Sequence, residues 1–311
     1  MTSIATTTAA GTGAVRLRRH RYMDRNSLIP LLLLLPPSVI LFVTFVALPM
    51  VDAATYSFFQ WTGYGPITNF VGFDNYVDVL THRNFATSVR NSLIVVAASL
   101  LVQLPLAMWV SIALSERGRV VNWMRTLFFL PYMLAEIAAG LIWKFVYDGN
   151  YGLVPQIGDV LGTKLPFLLA DKLWVIPAIM LVIVWKYFGF HMMIYIAGLQ
   201  SIPSEVIEAA RLDGVKKWQI VWHIKLPMIW PSIVISVFFA ITGALQLFDM
   251  IIPLTNGGPS NSSHTIVSFL YAFGILRMKI GFGAAVSVLL CVACVIVALV
   301  YRRVLFKSEN D

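Results

Sequence analysis

The sequence has few charged residues and almost no cysteine. Only 12% of its 311 residues are Asp, Glu, Lys or Arg, whereas 59% are hydrophobic, a balance that ordinary soluble domains do not show. The two cysteines, Cys291 and Cys294, lie one helical turn apart in an apolar run, so we expect packing residues rather than a disulfide or a metal site. The composition therefore excludes a typical soluble domain and indicates an integral membrane protein.

Signatures of enzymes are also missing. The chain contains neither a GxxxxGK[ST] phosphate-binding loop nor the HExxH or GxSxG clusters that a membrane-embedded enzyme would need. We therefore expect no catalytic residues, no metal site and no cofactor bound by this chain. The formal net charge of +8 requires no nucleic acid, because the distribution of basic residues across a membrane accounts for most of it.

Apolar runs long enough to cross a bilayer, about 20 residues each, recur along the chain. In lipid each run must satisfy its own backbone hydrogen bonds, so we expect helices. Six spans are predicted, at Leu28–Val51, Ser92–Leu114, Leu127–Tyr147, Leu173–Leu199, Ile229–Pro253 and Phe282–Tyr301. The predicted fold is therefore an all-α integral membrane protein with six transmembrane helices and both termini on one side.

The basic residues outside these spans are distributed unequally between the two sides. Fifteen fall on the side of the termini: Arg16, Arg18, Arg19, Arg21, Arg25, Arg117, Arg119, Arg125, Arg211, Lys216, Lys217, Lys225, Arg302, Arg303 and Lys307. Six fall on the opposite side: Arg83, Arg90, Lys164, Lys172, Arg277 and Lys279. Since cytoplasmic loops carry the excess of Lys and Arg, we predict cytoplasmic termini.

The chain divides into four predicted regions. Residues 1–27 form a basic, disordered cytoplasmic tail, and 28–87 hold the first span with a long outer loop. Residues 88–302 form the transmembrane core, with a cytoplasmic loop at 200–228, and 303–311 form a second tail. The first apolar run is too long for a signal peptide and lacks a cleavage site after it, so we interpret it as an uncleaved helix.

A polar, basic segment interrupts the apolar chain between the fourth and fifth spans. We call Glu205–Pro227 the Glu208 loop. Ser204 is the predicted N-cap of a short helix with Glu205 in its first turn, and Gly214 is predicted to end it in a left-handed conformation. A second amphipathic stretch with Trp218 and Trp222 follows. Pro227 and Pro231 are predicted to mark re-entry into the bilayer.

The Glu208 loop is compatible with two interpretations. An amphipathic segment lying on the lipid surface would explain its Trp and Lys residues. Such a segment, however, has no need of Glu-Ala-Ala followed by Asp-Gly at a fixed offset. Alanines permit close approach by another protein, and Glu208 and Arg211 provide charged groups at the rim. We therefore favour a docking site for a soluble protein.

The pattern EAAxxDG, a spacer and IxLP resembles the signature loop of permease subunits in binding-protein-dependent ABC importers. The matching residues are Glu208, Ala209, Ala210, Asp213, Gly214, Ile224, Leu226 and Pro227. The chain departs from the family pattern at Val215, where Ala is usual, and at Val221, where an aromatic residue is usual. These departures affect fine packing rather than the family assignment.

Further segments resemble the carbohydrate branch of this family, in particular the maltose-type first permease subunit. In chain order they are FVGFDNY at 70–76, FFLP at 128–131, AGLQSIP at 197–203, TNGGP at 255–259 and FGAA at 282–285. Each is weak alone, but together they cover nearly everything from Leu28 to Phe306. The resemblance implies the type-1 ABC importer permease fold and a bacterial plasma (inner) membrane location.

The resemblance also implies partners and a contact surface. The implied partners are a second homologous permease subunit forming a heterodimer, two ATPase subunits that bind ATP and Mg, and an extracytoplasmic sugar-binding protein. The residues implied to couple to the ATPase are Glu208, Ala209, Ala210, Arg211, Asp213, Gly214, Leu226 and Pro227. Which sugar is carried stays open, from monosaccharides to oligosaccharides and glycerol phosphate esters.

Ionisable residues at membrane depth are candidates for function because they are costly there. Glu136 and Lys186 fall near the middle of the third and fourth spans, and we expect them to pair, either to hold helices together or to line the path. Lys144 is expected to extend to the interface, and His191 to be a hydrogen-bonded packing residue. The candidate path residues are Glu136, Lys186, Tyr187, Tyr195, Gln246, Phe248 and Asp249.

Two other function classes, a secondary transporter and a membrane-embedded enzyme, make different demands on the sequence. A secondary transporter would couple sugar uptake to an ion or proton through Glu136 and Lys186, would need no ATPase, and would stop when an uncoupler is added. A membrane-embedded enzyme would need the catalytic clusters that the sequence lacks. We favour a passive permease subunit driven by a separate ATPase.

Overall fold

A computed structural model describes residues 25–116, 118–163 and 165–308 of the chain. Most of the predicted N-terminal tail, with Arg16, Arg18, Arg19 and Arg21, lies outside the described residues, as do Arg117, Lys164 and the last residues, 309–311. Helix already begins at Arg25, so the end of the predicted tail is helical.

The described residues are helical throughout, apart from connecting segments and one isolated bridge between Phe59 and Phe70. In chain order the helices are α1 Arg25–Tyr56, α2 Asp74–Thr81, α3 Arg83–Ala113, α4 Arg119–Met133, α5 Glu136–Val146, α6 Leu153–Val160, α7 Val175–Gln200, α8 Ser204–Leu212, α9 Lys217–Met228, α10 Trp230–Leu245, α11 Ile251–Thr255, α12 Ile266–Ile275 and α13 Ile280–Ser308. The all-α prediction is confirmed.

Four of the six predicted spans correspond to single long helices, and the other two fall in bent segments. Within the described residues, four helices (α1, α3, α7 and α13) are long and apolar enough to cross a bilayer, and two bent pairs raise the number to six. The pair α4 and α5 bends by 96°, and the pair α9 and α10 bends by 70°. The third predicted span, Leu127–Tyr147, is therefore bent between α4 and α5. Helix α9 lies in the Glu208 loop, and the predicted fifth span, Ile229–Pro253, consists of α10, which ends at Leu245, a non-helical break, and the start of α11.

The chain forms two compact units that divide after Val51. The described part of the unit up to Val51 consists of α1 residues, including a π-helical turn at Val43–Ala47. The unit from Asp52 onward contains the last residues of α1 and helices α2 to α13.

Helix α7 is the central element of the second unit. One part of it, including Val182 and Ile183, packs in a buried cluster with residues of α3, α5 and α11. Another part, including Met192 and Tyr195, packs in a second cluster with α3 residues. Because a side chain at Gly189 would overlap the Phe128 carbonyl, glycine at this position allows α4 to approach α7 closely.

The first loop packs on the segment that leads into α13. The Asn75 amide donates to the carbonyls of Ser57 at 2.9 Å and Phe59 at 3.0 Å. The Gly281 amide donates to the Trp61 carbonyl at 3.2 Å. These bonds satisfy backbone groups of an irregular segment and hold the long connection of 57–73 against the start of α13.

The fifth loop begins with a tight turn and then becomes helical. Asn256 adopts a left-handed conformation with φ of 49°, a geometry that asparagine tolerates better than most residues. The short apolar helix α12, Ile266–Ile275, follows this turn. Thr265 caps it, its hydroxyl accepting from the Ser268 amide.

Candidate functional site

The first helix of the Glu208 loop is α8, and its start differs from the prediction. Pro203, with φ of −57° and ψ of 134°, occupies the N-cap position, and Ser204 is the first helical residue. The predicted N-cap role of Ser204 was wrong because the extended proline already directs the chain into the helix. Glu205 lies in the first turn, where its carboxylate is stabilised by the helix dipole.

The end of α8 is defined by Gly214, which has φ of 75°. The Gly214 amide donates to the Arg211 carbonyl at 3.1 Å, and the Val215 amide donates to the Ala210 carbonyl at 3.0 Å. This pair of bonds is a Schellman motif, which satisfies carbonyls at a helix end and favours glycine at the left-handed position. The predicted left-handed termination at Gly214 is confirmed.

Helix α9 follows after one turn and completes the loop. It contains a π-helical turn at Val221–Lys225 and then bends at Ile229, which is buried, into α10. Trp218 and Trp222 are 58% and 66% exposed on its surface. The change of direction between α9 and α10 lies next to Pro227 and Pro231, which occupy the first turns of the two helical segments after the π-helical turn.

The candidate coupling residues form a largely exposed surface on α8 and the turn after it. Glu208, Ala209, Arg211, Asp213 and Gly214 are exposed. Leu212, which the pattern did not single out, is the most exposed large apolar side chain of this helix, at 89%. The less exposed members of the candidate set are Ala210, which is buried, and Leu226, which is half-buried, whereas Pro227 is exposed. An exposed apolar side chain beside small residues and charges is typical of a protein contact.

A central cleft of about 390 Å³ lies among α3, α5, α7 and α10. Of the candidate path residues it brings together Glu136, Tyr187, Gln246 and Asp249. Gln246 and Asp249 were expected within the fifth span. They lie instead in the segment after α10, which ends at Leu245. This segment breaks the helix, so polar side chains and irregular backbone border the cleft.

Lys186 does not form the expected ion pair with Glu136. Its side chain is 1% exposed, and its ammonium donates to the Leu134 carbonyl at 2.6 Å, with the Pro131 and Tyr132 carbonyls at 3.3 and 3.4 Å. These carbonyls lie at the C-terminal end of α4, where helix ends leave carbonyls without intrahelical donors, although the Pro131 carbonyl also accepts from the Leu134 amide at 3.3 Å. The prediction was wrong because the sequence did not reveal this break.

Glu136 has a different partner, the Tyr187 hydroxyl, which donates to its carboxylate at 2.6 Å. Glu136 is also in the first turn of α5, where the positive end of the helix dipole stabilises a carboxylate. The two side chains, from α5 and α7, therefore form one polar contact at the edge of the cleft.

The remaining path candidates lie away from the cleft lining. Tyr195 is 1% exposed within the α3–α7 cluster, and Phe248 packs edge-to-face on Tyr271 at 5.2 Å between ring centroids. His191 is 3% exposed and hydrogen-bonds Ser236 at 2.6 Å. The expectation of a hydrogen-bonded packing residue is confirmed for His191, although this residue also lines the cleft.

Several cleft residues were missed by sequence reasoning. They are two buried polar residues and three aromatic residues: Ser99, Gln103, Tyr132, Phe190 and Phe239. Ser99 and Gln103 bound a π-helical turn in α3, a feature often found at functional sites. Their polarity inside an apolar span was the available signal. The rings of Tyr132 and Phe190 stack with centroids 4.8 Å apart.

A second cleft, of about 580 Å³, lies between the first loop and the end of the fifth loop. Its charged lining residues are Asp74, Asp78, Arg277 and Lys279. His82 lies beside it, with its ring 5.0 Å from that of Phe273. Burial, followed by the charges of Arg277 and Lys279, lowers the pKa of His82 below its ordinary value, although Asp78 opposes the shift.

A bundle of membrane-length helices with a polar central cleft and an exposed interhelical loop is the architecture of a membrane transport subunit. Residues 103–307 match the family model described as binding-protein-dependent transport system inner membrane component. The chain belongs to this family and is a multi-pass transmembrane permease subunit of a binding-protein-dependent importer. Nothing in these findings supports the ion-coupled alternative.

Curated relatives cover almost the whole chain. The multiple sugar-binding transport system permease protein of Streptococcus mutans is 32% identical over 273 residues, which are 87% of this chain and 93% of that protein. The diacetylchitobiose uptake system permease protein of Streptomyces coelicolor is 33% identical over 306 residues, which are 94% of this chain and 86% of that protein.

A solved structure shares the fold. A chain of a bacterial ABC transporter involved in the import of the acidic polysaccharide alginate aligns with a TM-score of 0.78 at 22% identity, covering 92% of this chain and 96% of that chain. At this identity the likeness shows the fold alone, and it is the expected type-1 ABC importer permease fold.

Proposed function

We propose that this chain is a permease subunit of an ATP-driven carbohydrate importer in the bacterial plasma membrane. Its partners are a second homologous permease subunit, two ATPase subunits that bind ATP and Mg, and an extracytoplasmic binding protein that delivers the cargo. The termini and the Glu208 loop face the cytoplasm. This chain supplies one half of the path and hydrolyses no nucleotide itself.

The observation that carries this proposal is the exposed surface of α8 and its glycine-terminated end. Glu208, Ala209 and Arg211 are exposed on a short helix that is held in one conformation by the Schellman motif at Gly214. A rigid, exposed helix can transmit a movement of its binding partner to the helices it joins. Here it connects α7 to the bent pair α9 and α10.

The carbohydrate assignment is supported by the central cleft. Stacked aromatic rings (Tyr132 with Phe190) lie near planar polar side chains, including Glu136 and Gln246. Sugars present apolar ring faces and hydroxyl groups, which such a lining complements. The names of the two relatives, which refer to sugar binding and diacetylchitobiose uptake, support the same class of cargo.

Two substitutions in the Glu208 loop test the coupling. Gly214→Pro removes the amide that donates to Arg211 and cannot adopt φ of 75°, and Glu208→Lys reverses the charge of the exposed surface. We expect either variant to insert in the membrane but to lose ATP-dependent cargo uptake into proteoliposomes. Uptake at the wild-type rate with either variant would overturn the coupling assignment.

The chain offers a matched control for the glycine. Gly162 ends α6 with φ of 66° and the same pair of bonds, its own amide to the Asp159 carbonyl and the Thr163 amide to the Gly158 carbonyl. Gly162→Pro breaks the same motif on the opposite side of the membrane. We expect Gly162→Pro to retain uptake, which separates loss of coupling from a general effect of proline.

A further inference from the structure

The central cleft contains negative but no positive side chains. Glu136 and Asp249 line it, and no lysine or arginine is found among the described residues of the lining. Lys186, which directly precedes the lining residue Tyr187 in the sequence, is 1% exposed, and its ammonium donates to the carbonyls at the end of α4. Lys186 is therefore not available to contact a molecule in the cleft.

The same cleft also contains a side-chain donor, the amide of Gln103. Gln103 is 2% exposed and lines the cleft, and its amide oxygen receives only a long contact of 3.5 Å from the Ser99 hydroxyl. Its amide nitrogen bonds to none of the described residues. Because Gln103 lines the cleft, this nitrogen is available to donate to a polar group of a bound molecule.

The chemistry of the lining distinguishes between classes of carbohydrate. Carboxylates accept hydrogen bonds from sugar hydroxyls or from an amino group, and the Gln103 amide donates to a sugar oxygen. A phosphate, sulfonate or carboxylate on the sugar would instead face Glu136 and Asp249 without a counter-ion in this lining. Such like-charge contacts are a common means of rejecting a competing ligand.

We propose that Glu136 and Asp249 make this subunit selective for neutral or amino-bearing carbohydrates and exclude anionic ones. This inference rests on the proposed carbohydrate function and specifies the charge of its cargo. In this account the two carboxylates are specificity determinants of the cleft. Lys186 interacts electrostatically with Glu136 but lies outside the lining, with its ammonium bound to the carbonyls at the end of α4, so it offers no counter-ion to an anionic group of a bound molecule.

The first test is the identity of the native cargo. The complete complex with its binding protein is purified from the native membrane, and the bound molecule is released and analysed by mass spectrometry. A neutral or amino sugar is the expected result. A phosphorylated, sulfonated or carboxylated sugar would overturn this inference but leave the carbohydrate function intact, whereas a cargo that is not a carbohydrate would overturn the proposed function itself.

The second test uses the same complex in proteoliposomes with that cargo. We expect the combined substitution Glu136→Gln and Asp249→Asn to reduce uptake roughly tenfold or more, since charged acceptors become neutral amides. Glu116→Gln and Asp159→Asn make the same chemical changes at exposed positions outside the cleft and are expected to transport normally. Unchanged uptake in the cleft variant would overturn the inference.

Discussion

The ammonium of Lys186 lies 2.6 Å from the carbonyl oxygen of Leu134, and this bond joins the central helix α7 to the break between α4 and α5. A cation is favourable at this position because the C-terminal end of a helix carries partial negative charge and free carbonyls. Lys186 therefore stabilises the 96° bend, and with it the position of Glu136 at the start of α5.

Replacing Lys186 tests this role. Lys186→Met leaves the carbonyls at the end of α4 without their donor, so we expect a loss of stability of about 2 kcal/mol. Lys186→Arg retains a donor and a charge and should recover part of that loss. Thermal unfolding of the purified complex in detergent measures both variants, and equal stability of Lys186→Met and wild type would contradict the capping role.

Close packing of α4 on α7 gives a second prediction. A methyl group at position 189 would overlap the Phe128 carbonyl, which is backbone and cannot move away independently of the helix. Gly189→Ala should therefore destabilise the protein by about 1–3 kcal/mol, the usual effect of overpacking.

Gly243→Ala is the matched control, because a methyl group there meets nothing within 4 Å. It should leave the unfolding temperature close to that of the wild type. If both variants unfold like the wild type, the helices at Gly189 are further apart than described.

His82 predicts a dependence of stability on pH. Its Nδ1 accepts from the Asn84 amide at 3.2 Å at the start of α3, and burial together with Arg277 and Lys279 lowers its pKa from the ordinary value of 6.5. The unfolded chain then takes up this proton at higher pH than the folded chain. The stabilisation is therefore complete above about pH 6.5 and is lost as the pH falls below that value.

The control is His82→Asn, which can still cap the helix but does not titrate. Between about pH 7.5 and about pH 5.5 the unfolding temperature of the wild type should fall more than that of this variant. A parallel decrease for the two proteins would show that His82 does not carry the pH dependence.

The parts of the fold that hydropathy determines were predictable. Helix α7, at Val175–Gln200, agrees closely with the expected span Leu173–Leu199, because its apolar run has clear polar ends. Gly214 was equally predictable, since few residues other than glycine end a helix in the left-handed region. These features depend on local composition alone.

The helix breaks were not predictable by the same reasoning. Apolar residues continue through Leu134 and Ala135, so hydropathy contains no sign of the bend, and only Pro131 within α4 indicated irregularity. The partner of Lys186 follows from that bend, since a straight helix would have no free carbonyls there. The position of Gln246 after the end of α10 was missed for the same reason.

The measurement that tests the central claim most directly is site-specific crosslinking of the Glu208 loop. With Cys291 and Cys294 replaced by Ala, Glu208→Cys is labelled with a thiol-reactive photo-crosslinker in membranes that contain the whole complex, and Asp159→Cys serves as the control on the opposite side. Our account predicts an ATPase adduct from position 208 and none from position 159. Adducts to lipid alone from position 208, in a complex that still contains its ATPase, would contradict the docking role and favour a loop lying on the membrane surface.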